Sequence, residues 1–300
     1  MRWLDAILLE KWYKMYMNKT DSYLVGIIPE YNFRFLLTDC SNSVREVIQR
    51  HEMEHSSATL VAKTMIAAFF LAGLVKEETM ISIQLEGEGD IERVMAYSDR
   101  SGRMRGMAKH NTILADPKDS TLGIGPGIFR VTRWGGVQKL HQSITKLEDT
   151  IFETNLLNYI NESDQLISFL SIYTDLEQRP IKACGMIFQA LPFTKSTQID
   201  DLMDKISNIN IDQSQIFSGS LDNTLKLMEN VLETKADILE VGIPEFYCGC
   251  TLEKIKKVIV SIGQEEAYSI VEERGNIEMI CEFCREKYVL DAEEVRLLFI

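Results

Sequence analysis

"FYCGC", residues 246–250, sets two of only six cysteines on either side of a single glycine. Thirty residues later the chain reads Cys281-Glu-Phe-Cys284, so four of the six thiols stand in two close pairs. Zinc takes four ligands at tetrahedral corners, each sulfur about 2.3 Å from the metal, and two such pairs close that shell. The spacing therefore predicts a zinc site made of Cys248, Cys250, Cys281 and Cys284, with one Zn2+ per chain in the reduced state. The C-x-C pair is tighter than the usual knuckle. Gly249 is expected to relieve the backbone strain of turning two neighbouring side chains to one side.

The short spacing also allows each pair to oxidise within itself. A disulfide needs Cα atoms roughly 4.4–6.8 Å apart, a range that a bent C-x-C and a C-x-x-C knuckle both meet. The four sulfurs thus support either a closed zinc site or two local disulfides and no metal. Such small-loop bridges should be strained and easily reduced again. The segment from Cys248 to Ile300 is too short to fold securely on its own core. Structural zinc contributes on the order of 10–16 kcal/mol in small thiolate domains, against roughly 5–15 kcal/mol for the whole stability of a typical domain. Losing the metal should unfold the segment, and should loosen the preceding linker if that docks against it. The plainer alternative is a permanent zinc ribbon that holds the tail together.

Upstream, "YLVGIIPEYNFRFLLT" (23–38) reads as two strands around a Pro29–Asn32 turn. Ser43 is expected to open a helix, with Glu46 completing a capping box. "SATLVAKTMIAAFFLAGLVK" (57–76) is apolar nearly all round, as a buried helix should be. An alternating strand (80–87) and a hairpin through "IERVMAYSD" and "RMRGMAKH", turning at Gly102, come next. "TLGIGPGIF" (121–129) lacks the Gly-Lys-Ser/Thr of a phosphate loop and reads as a turn between strands. More strands are expected near 128–138, 165–174 and 181–191, with a helix over 148–161. Helices followed by runs of strands indicate an α+β fold.

After Pro192 the texture changes. Residues 193–247 carry two amphipathic patterns and almost no strand signal: Ile199, Leu202, Met203, Ile206 and Ile209, then Leu221, Leu225, Met228 and Leu232. "SNINIDQSQIFSGS" (207–220) is built of poor helix formers, so a helix there must depend on docking. The organisation expected is an N-terminal extension (1–20), an α+β core domain (21–192), a metastable helical linker (193–247) and a small C-terminal zinc-binding domain (248–300).

A net charge of −13 and a pI near 4.9 argue against a nucleic-acid partner. No uninterrupted apolar run is long enough for a membrane span. In "MRWLDAILLEKWYKMYMNKT", Glu10 and Lys11 interrupt any secretory core, while Trp3, Leu4, Ile7, Leu8 and Met15 recur at helical spacing. A short amphipathic helix in a cytosolic protein is the expectation, and there cysteine clusters mean metal or redox chemistry. "HEMEH" (51–55) formally satisfies the metalloprotease pattern, with His51 and His55 as ligands, Glu52 as base and Glu77 or Glu78 as a third ligand. The serines that follow read instead as the end of one helix and the cap of the next, so no enzyme is expected.

The stretch "FYCGC…GQEEAYSIVEERGNIEMICEFCREKYVLDAEEV" closely resembles the C-terminal switch domain of the 33-kDa heat-shock protein family, the redox-regulated holdase chaperones. The shared pattern is C-x-C, about thirty residues, then C-x-x-C, with an acidic helix and an I-x-M-x-C-x-x-C-x-x-x-Y hairpin. The likeness continues through residues 64–108, "NYINESDQL" and "CGMIFQALP", and covers about 21 to 298. Residues 1–20 stand ahead of where family sequences usually begin, as an extension or because translation starts at Met15 or Met17. "RWGGVQKLHQSI" (133–144) lacks the family's Tyr-Gln-Gly stretch. Cys40 and Cys184 lie outside the switch and read as small buried hydrophobes.

The resemblance implies that the reduced protein holds zinc and is inactive as a chaperone. Cys281 pairs with Cys284 first and Cys248 with Cys250 afterwards. Zinc then leaves, the linker melts, and unfolding client proteins are bound without ATP under oxidative and heat stress. The active form is associated with a homodimer.

Overall fold

Strand β2 (Phe33–Asp39) is apolar toward both of its faces, and the reason lies in what covers them. A computed structural model describes residues 21–53, 55–75, 78–109, 123–135, 140–148, 150–177, 181–207 and 211–300. The amphipathic helix expected over 1–20, and Glu77, fall outside these residues. Strands β1 (Ser22–Ile28), β2, β8 (Ser168–Asp175), β9 (Lys182–Ala190) and β10 (Asp237–Gly242) form one antiparallel sheet in the order β10-β1-β2-β9-β8. The β1–β2 hairpin turns at Pro29–Asn32 as expected, with Asn32 in the left-handed region.

A second sheet, β11-β5-β4-β3-β6-β7, holds β3 (Thr79–Gly87), β4 (Arg93–Asp99), β5 (Arg103–Lys109), β6 (Gly127–Gly135), β7 (Leu140–Leu147) and β11 (Glu245–Phe246). Only β11, parallel to β5, departs from antiparallel pairing among the described strands. Residues 123–127 lead into β6, and the carbonyls of Gly123, Ile124 and Pro126 accept backbone bonds from the β3–β4 connection, so the expected turn is present in its described part. Strand β7 was not foreseen. Its outward residues Leu140, His141 and Ile144 blur the period of two that would have marked it.

Helix α2 (His55–Gly73) lies between the sheets, which accounts for its unbroken apolar composition. Its stretch Ser56–Gly73 is long and apolar enough to cross a membrane, but 89% of it is buried inside the protein as a core helix. Each sheet meets α2 at a glycine. A Cβ on Gly106 of β5 would come within 2.9 Å of Val61 and Met65, and one on Gly185 of β9 within 2.7 Å of Phe70. Helix α3 (Phe152–Tyr159) adds Phe152, Leu156 and Tyr159 to the same core and continues as a π-helical turn, Ile160–Asp164. This element begins later and runs further than the 148–161 expected.

Helix α1 (Ser41–His51) corrects the capping-box expectation. It begins two residues before Ser43, and Glu46 pairs with Arg50 instead of reaching back. Two carboxylates from neighbouring chain already serve the orphan N–H groups. Asp21 accepts from the N–H of Asn42 and from the N–H and hydroxyl of Ser43, and Asp39 accepts from the N–H and hydroxyl of Ser41. Burial outweighs those bonds at Asp21 and pushes its pKa up to about 6. A carboxyl held above its unfolded value binds more protons when folded, so its contribution to stability falls as pH rises from about 4 to 6. Asp21→Asn should remove that fall, worth at most about 3 kcal/mol, as measured by paired urea titrations at pH 4 and pH 7. An unchanged pH slope in the variant would rule it out.

The segment after Pro192 also needs correcting. Helices α4 (Ser196–Ser207), α5 (Gln213–Ile216) and α6 (Leu221–Leu232) are present, but the same segment supplies β10 and β11. Strand β10 is a sheet edge whose residues are half-buried or exposed, so no apolar run announced it. Leu202, Leu221, Leu225, Met228 and Leu232 pack with Phe33, Phe35, Leu37 and Phe188 on the face of the first sheet turned from α2. That covers the second face of β2. Ile209 lies outside the described residues.

Tyr247–Ile300 forms a second compact unit, separate from the residues up to Phe246. It comprises α7 (Leu252–Ile262), α8 (Gln264–Arg274), the hairpin β12 (Asn276–Ile280) and β13 (Lys287–Asp291), and α9 (Ala292–Leu297). Thr251 caps α7, and Asp291 with Glu294 forms a true capping box on α9. The buried apolar cluster of this unit is only Ile255, Ile259, Ala267, Val271, Ile277, Leu290 and Val295. Meanwhile Val258, Val260 and Ile262 stay exposed on α7.

Candidate metal centre

Cys281 and Cys284 sit in the loop joining β12 to β13. The loop is closed by Cys281 N–H to Glu286 O and Arg285 N–H to Cys281 O, each 2.9 Å, and Arg285 takes the left-handed conformation that reverses the chain. Cys248 and Cys250 lie on the extended stretch leading into the Thr251 cap of α7. The four Sγ atoms lie within 4.8 Å of one another. Two contacts run between the pairs: 3.7 Å from Cys248 to Cys281 and 3.1 Å from Cys250 to Cys284. Sulfurs bound tetrahedrally at about 2.3 Å from one metal stand about 3.8 Å apart. The 3.7 Å separation matches that shell, the 3.1 Å one is tighter than a bound metal would leave it, and all four cysteines are free of disulfides. The structure brings together every cysteine that the spacing assigned to the site.

The surroundings favour thiolate at one position and oppose it at another. Burial pushes Cys281 up, but the N–H groups of Cys284 and Phe283 and the thiols of Cys284 and Cys248 outweigh it and bring it to about 7. Cys284 is pushed up, first by burial and then by hydrogen bonding to Cys250. Tyr288, on β13, donates its hydroxyl to Cys250 Sγ at 3.2 Å. Its place in the hairpin pattern was visible in the sequence, but not its bond to sulfur. Four soft donors, one of them already favoured as thiolate, could hold a metal ion and are compatible with zinc.

The expected role of Gly249 does not hold. Its φ is not left-handed, and a Cβ there would make only ordinary contacts, 3.4 Å from Lys254 Nζ and 3.5 Å from Tyr247. The Lys254 ammonium bonds to the Gly249 carbonyl and fixes this turn from the side. The HEMEH pattern does not form a site either. Helix α1 ends at His51, Glu52 is its left-handed cap, and His55 opens α2, so no single helix presents both histidines. Glu78 is exposed, and the four cysteines are the one metal-capable cluster among the described residues. Cys40 and Cys184 are buried and free, and burial raises both thiols well above their ordinary value.

The model of the Hsp33 protein family matches residues 21–291, from the first strand to the end of the cysteine hairpin. The chain belongs to the Hsp33 family. The "33 kDa chaperonin" of Thermodesulfovibrio yellowstonii is 26% identical over 284 residues, 93% of this chain and 98% of that one. The protein of the same name from Pseudoalteromonas translucida is 27% identical over 266 residues, 88% of this chain and 93% of that one. A crystal structure of the Thermotoga maritima 33 kDa chaperonin, heat shock protein 33 homolog, superimposes with a TM-score of 0.83 at 22% identity. It spans 93% of this chain and 98% of its own, and shows that the Hsp33 fold is shared across both units.

Proposed function

We propose that this chain is a cytoplasmic, redox-regulated chaperone that holds unfolding proteins without ATP once its four clustered thiols are oxidised. The observation that carries the reading is the gathering of Cys248, Cys250, Cys281 and Cys284 within 4.8 Å in a unit whose own buried cluster is so small. The names of the relatives, 33 kDa chaperonin, support the chaperone part. In the reduced state the four thiolates hold one Zn2+, which supplies the cross-link that the core of Tyr247–Ile300 lacks.

Oxidation pairs Cys281 with Cys284 and then Cys248 with Cys250. Each new S–S bond gives two electrons to peroxide, which leaves as water, and each pair lost removes two ligands. The hairpin and α7 then lose their tie. Phe246, in β11, is two residues before Cys248, so loss of order in the tail begins next to the end of the segment that carries α4–α6. Release of those helices uncovers Phe33, Phe35 and Phe188, an aromatic surface suited to unfolded clients. The oxidised form is a homodimer.

A peroxide titration at raised temperature tests this, with zinc release and suppression of client aggregation followed together. The two should rise in step, with one zinc liberated per chain. Zinc release without holdase activity would leave the cluster a structural ribbon and end the proposal.

A further inference from the structure

A cleft of about 330 Å3 in the upstream unit gathers Arg34, Arg133, Ser163, Asp164 and Gln189 on one side. Phe70, Leu71, Leu74, Val75 and Leu166 line the rest. Strands β2, β6 and β9, the end of α2 and the π-helical turn after α3 all converge on it. Such turns are rare and recur at functional sites, because they push a side chain out of helical register. Here the turn carries Asp164 to Arg133 Nη2, at 2.5 Å, while Tyr159 meets the same nitrogen at 3.0 Å.

The charges do not balance. Arg34 spends its donors on neutral acceptors: Nη1 on the Leu74 carbonyl at 2.6 Å, Nε and Nη2 on Gln189 Oε1 at 3.1 and 2.7 Å. Asp164 is the one carboxylate among the lining residues, and it acts electrostatically on both arginines. Arg133 Nε is buried without a hydrogen-bond partner among the described residues. Among the described lining residues, two guanidinium groups against one carboxylate leave a single positive charge in a partly dehydrated cleft. Uncompensated charge in a dehydrated site is costly, and an anion in the cleft relieves it.

We infer that this cleft binds a small organic monocarboxylate, its head between Arg34 and Arg133 and its apolar body against Phe70, Leu74 and Leu166. A guanidinium fork matches a carboxylate in shape, and a monoanion matches the excess charge. The volume has room for roughly ten water-sized groups, which suits a short aliphatic chain. The inference uses none of the four thiols and stands apart from the proposed redox function.

The test is calorimetric titration of the full-length reduced protein at low ionic strength with hexanoate, and with acetate as the chain-length control. Hexanoate is expected to saturate and to bind more tightly than acetate. Arg133→Gln should weaken it at least tenfold, about 1.4 kcal/mol. Asp164→Asn removes the competing carboxylate and should tighten it. That opposite sign separates a binding cleft from a structural ion pair, for which both variants would only destabilise the fold. Absence of saturable hexanoate binding, equal affinity for acetate, or weaker binding in Asp164→Asn would overturn the inference.

Discussion

Replacing Cys248, Cys250, Cys281 and Cys284 together by serine is expected to abolish metal binding and unfold Tyr247–Ile300, leaving the upstream sheets intact. The metal term removed is on the order of 10 kcal/mol, more than seven buried apolar side chains in this unit can offset once chain entropy is counted. Amides of α7, α8, β12 and β13 should then exchange with solvent at nearly unprotected rates, while those of β2, β9 and α2 stay protected. Holdase activity should appear without any oxidant. A quadruple variant that kept its hairpin protected would show that the thiols are not the tie, and one that lost it yet stayed silent toward denatured clients would separate unfolding of the tail from chaperone activity.

The second large effect is expected at the helical layer. Leu225 is 5% exposed and packs in the cluster of Phe33, Phe35 and Phe188. Leu225→Asp buries an unpaired carboxylate, at a cost of several kcal/mol. Helices α4–α6 are twelve residues long or shorter, too short to persist without docking, so the layer should leave the sheet while α2 and the second sheet hold. Reduced, metal-loaded Leu225→Asp should bind an apolar dye and suppress client aggregation. Lys226→Ala, on the exposed side of the same helix, should do neither. A variant with its layer released but no capture of clients would separate that layer from chaperone activity.

Much of this was legible in the residues because single signals were unambiguous. The β1–β2 hairpin announced itself through Pro29 and Asn32, the core helix through its apolar run, and the cluster through C-x-C and C-x-x-C spacing. What was missed has a common cause. Of the two carboxylates serving α1, Asp39 is local to Ser41, but Asp21 reaches it from 21 residues before Asn42, which a capping pattern cannot express. Strand β10 is a half-exposed edge paired with β1 across most of the chain, so its partner specifies it more than its own composition does. The ring of Arg34, Arg133 and Asp164 is scattered over 131 positions and leaves no local motif at all.

The stitching of β10 against β1 has one more consequence. Helices α4–α6 run between two points sewn to the same sheet, Leu191 by its bond to Asn32 at one end and β10 at the other. A layer that lifts off therefore remains a closed arch, unable to diffuse away. Tethering of this kind keeps the local concentration of the arch near its seat in the millimolar range. Returning after a stress has passed is then a short, first-order folding-back of the same molecule, independent of how dilute the protein is.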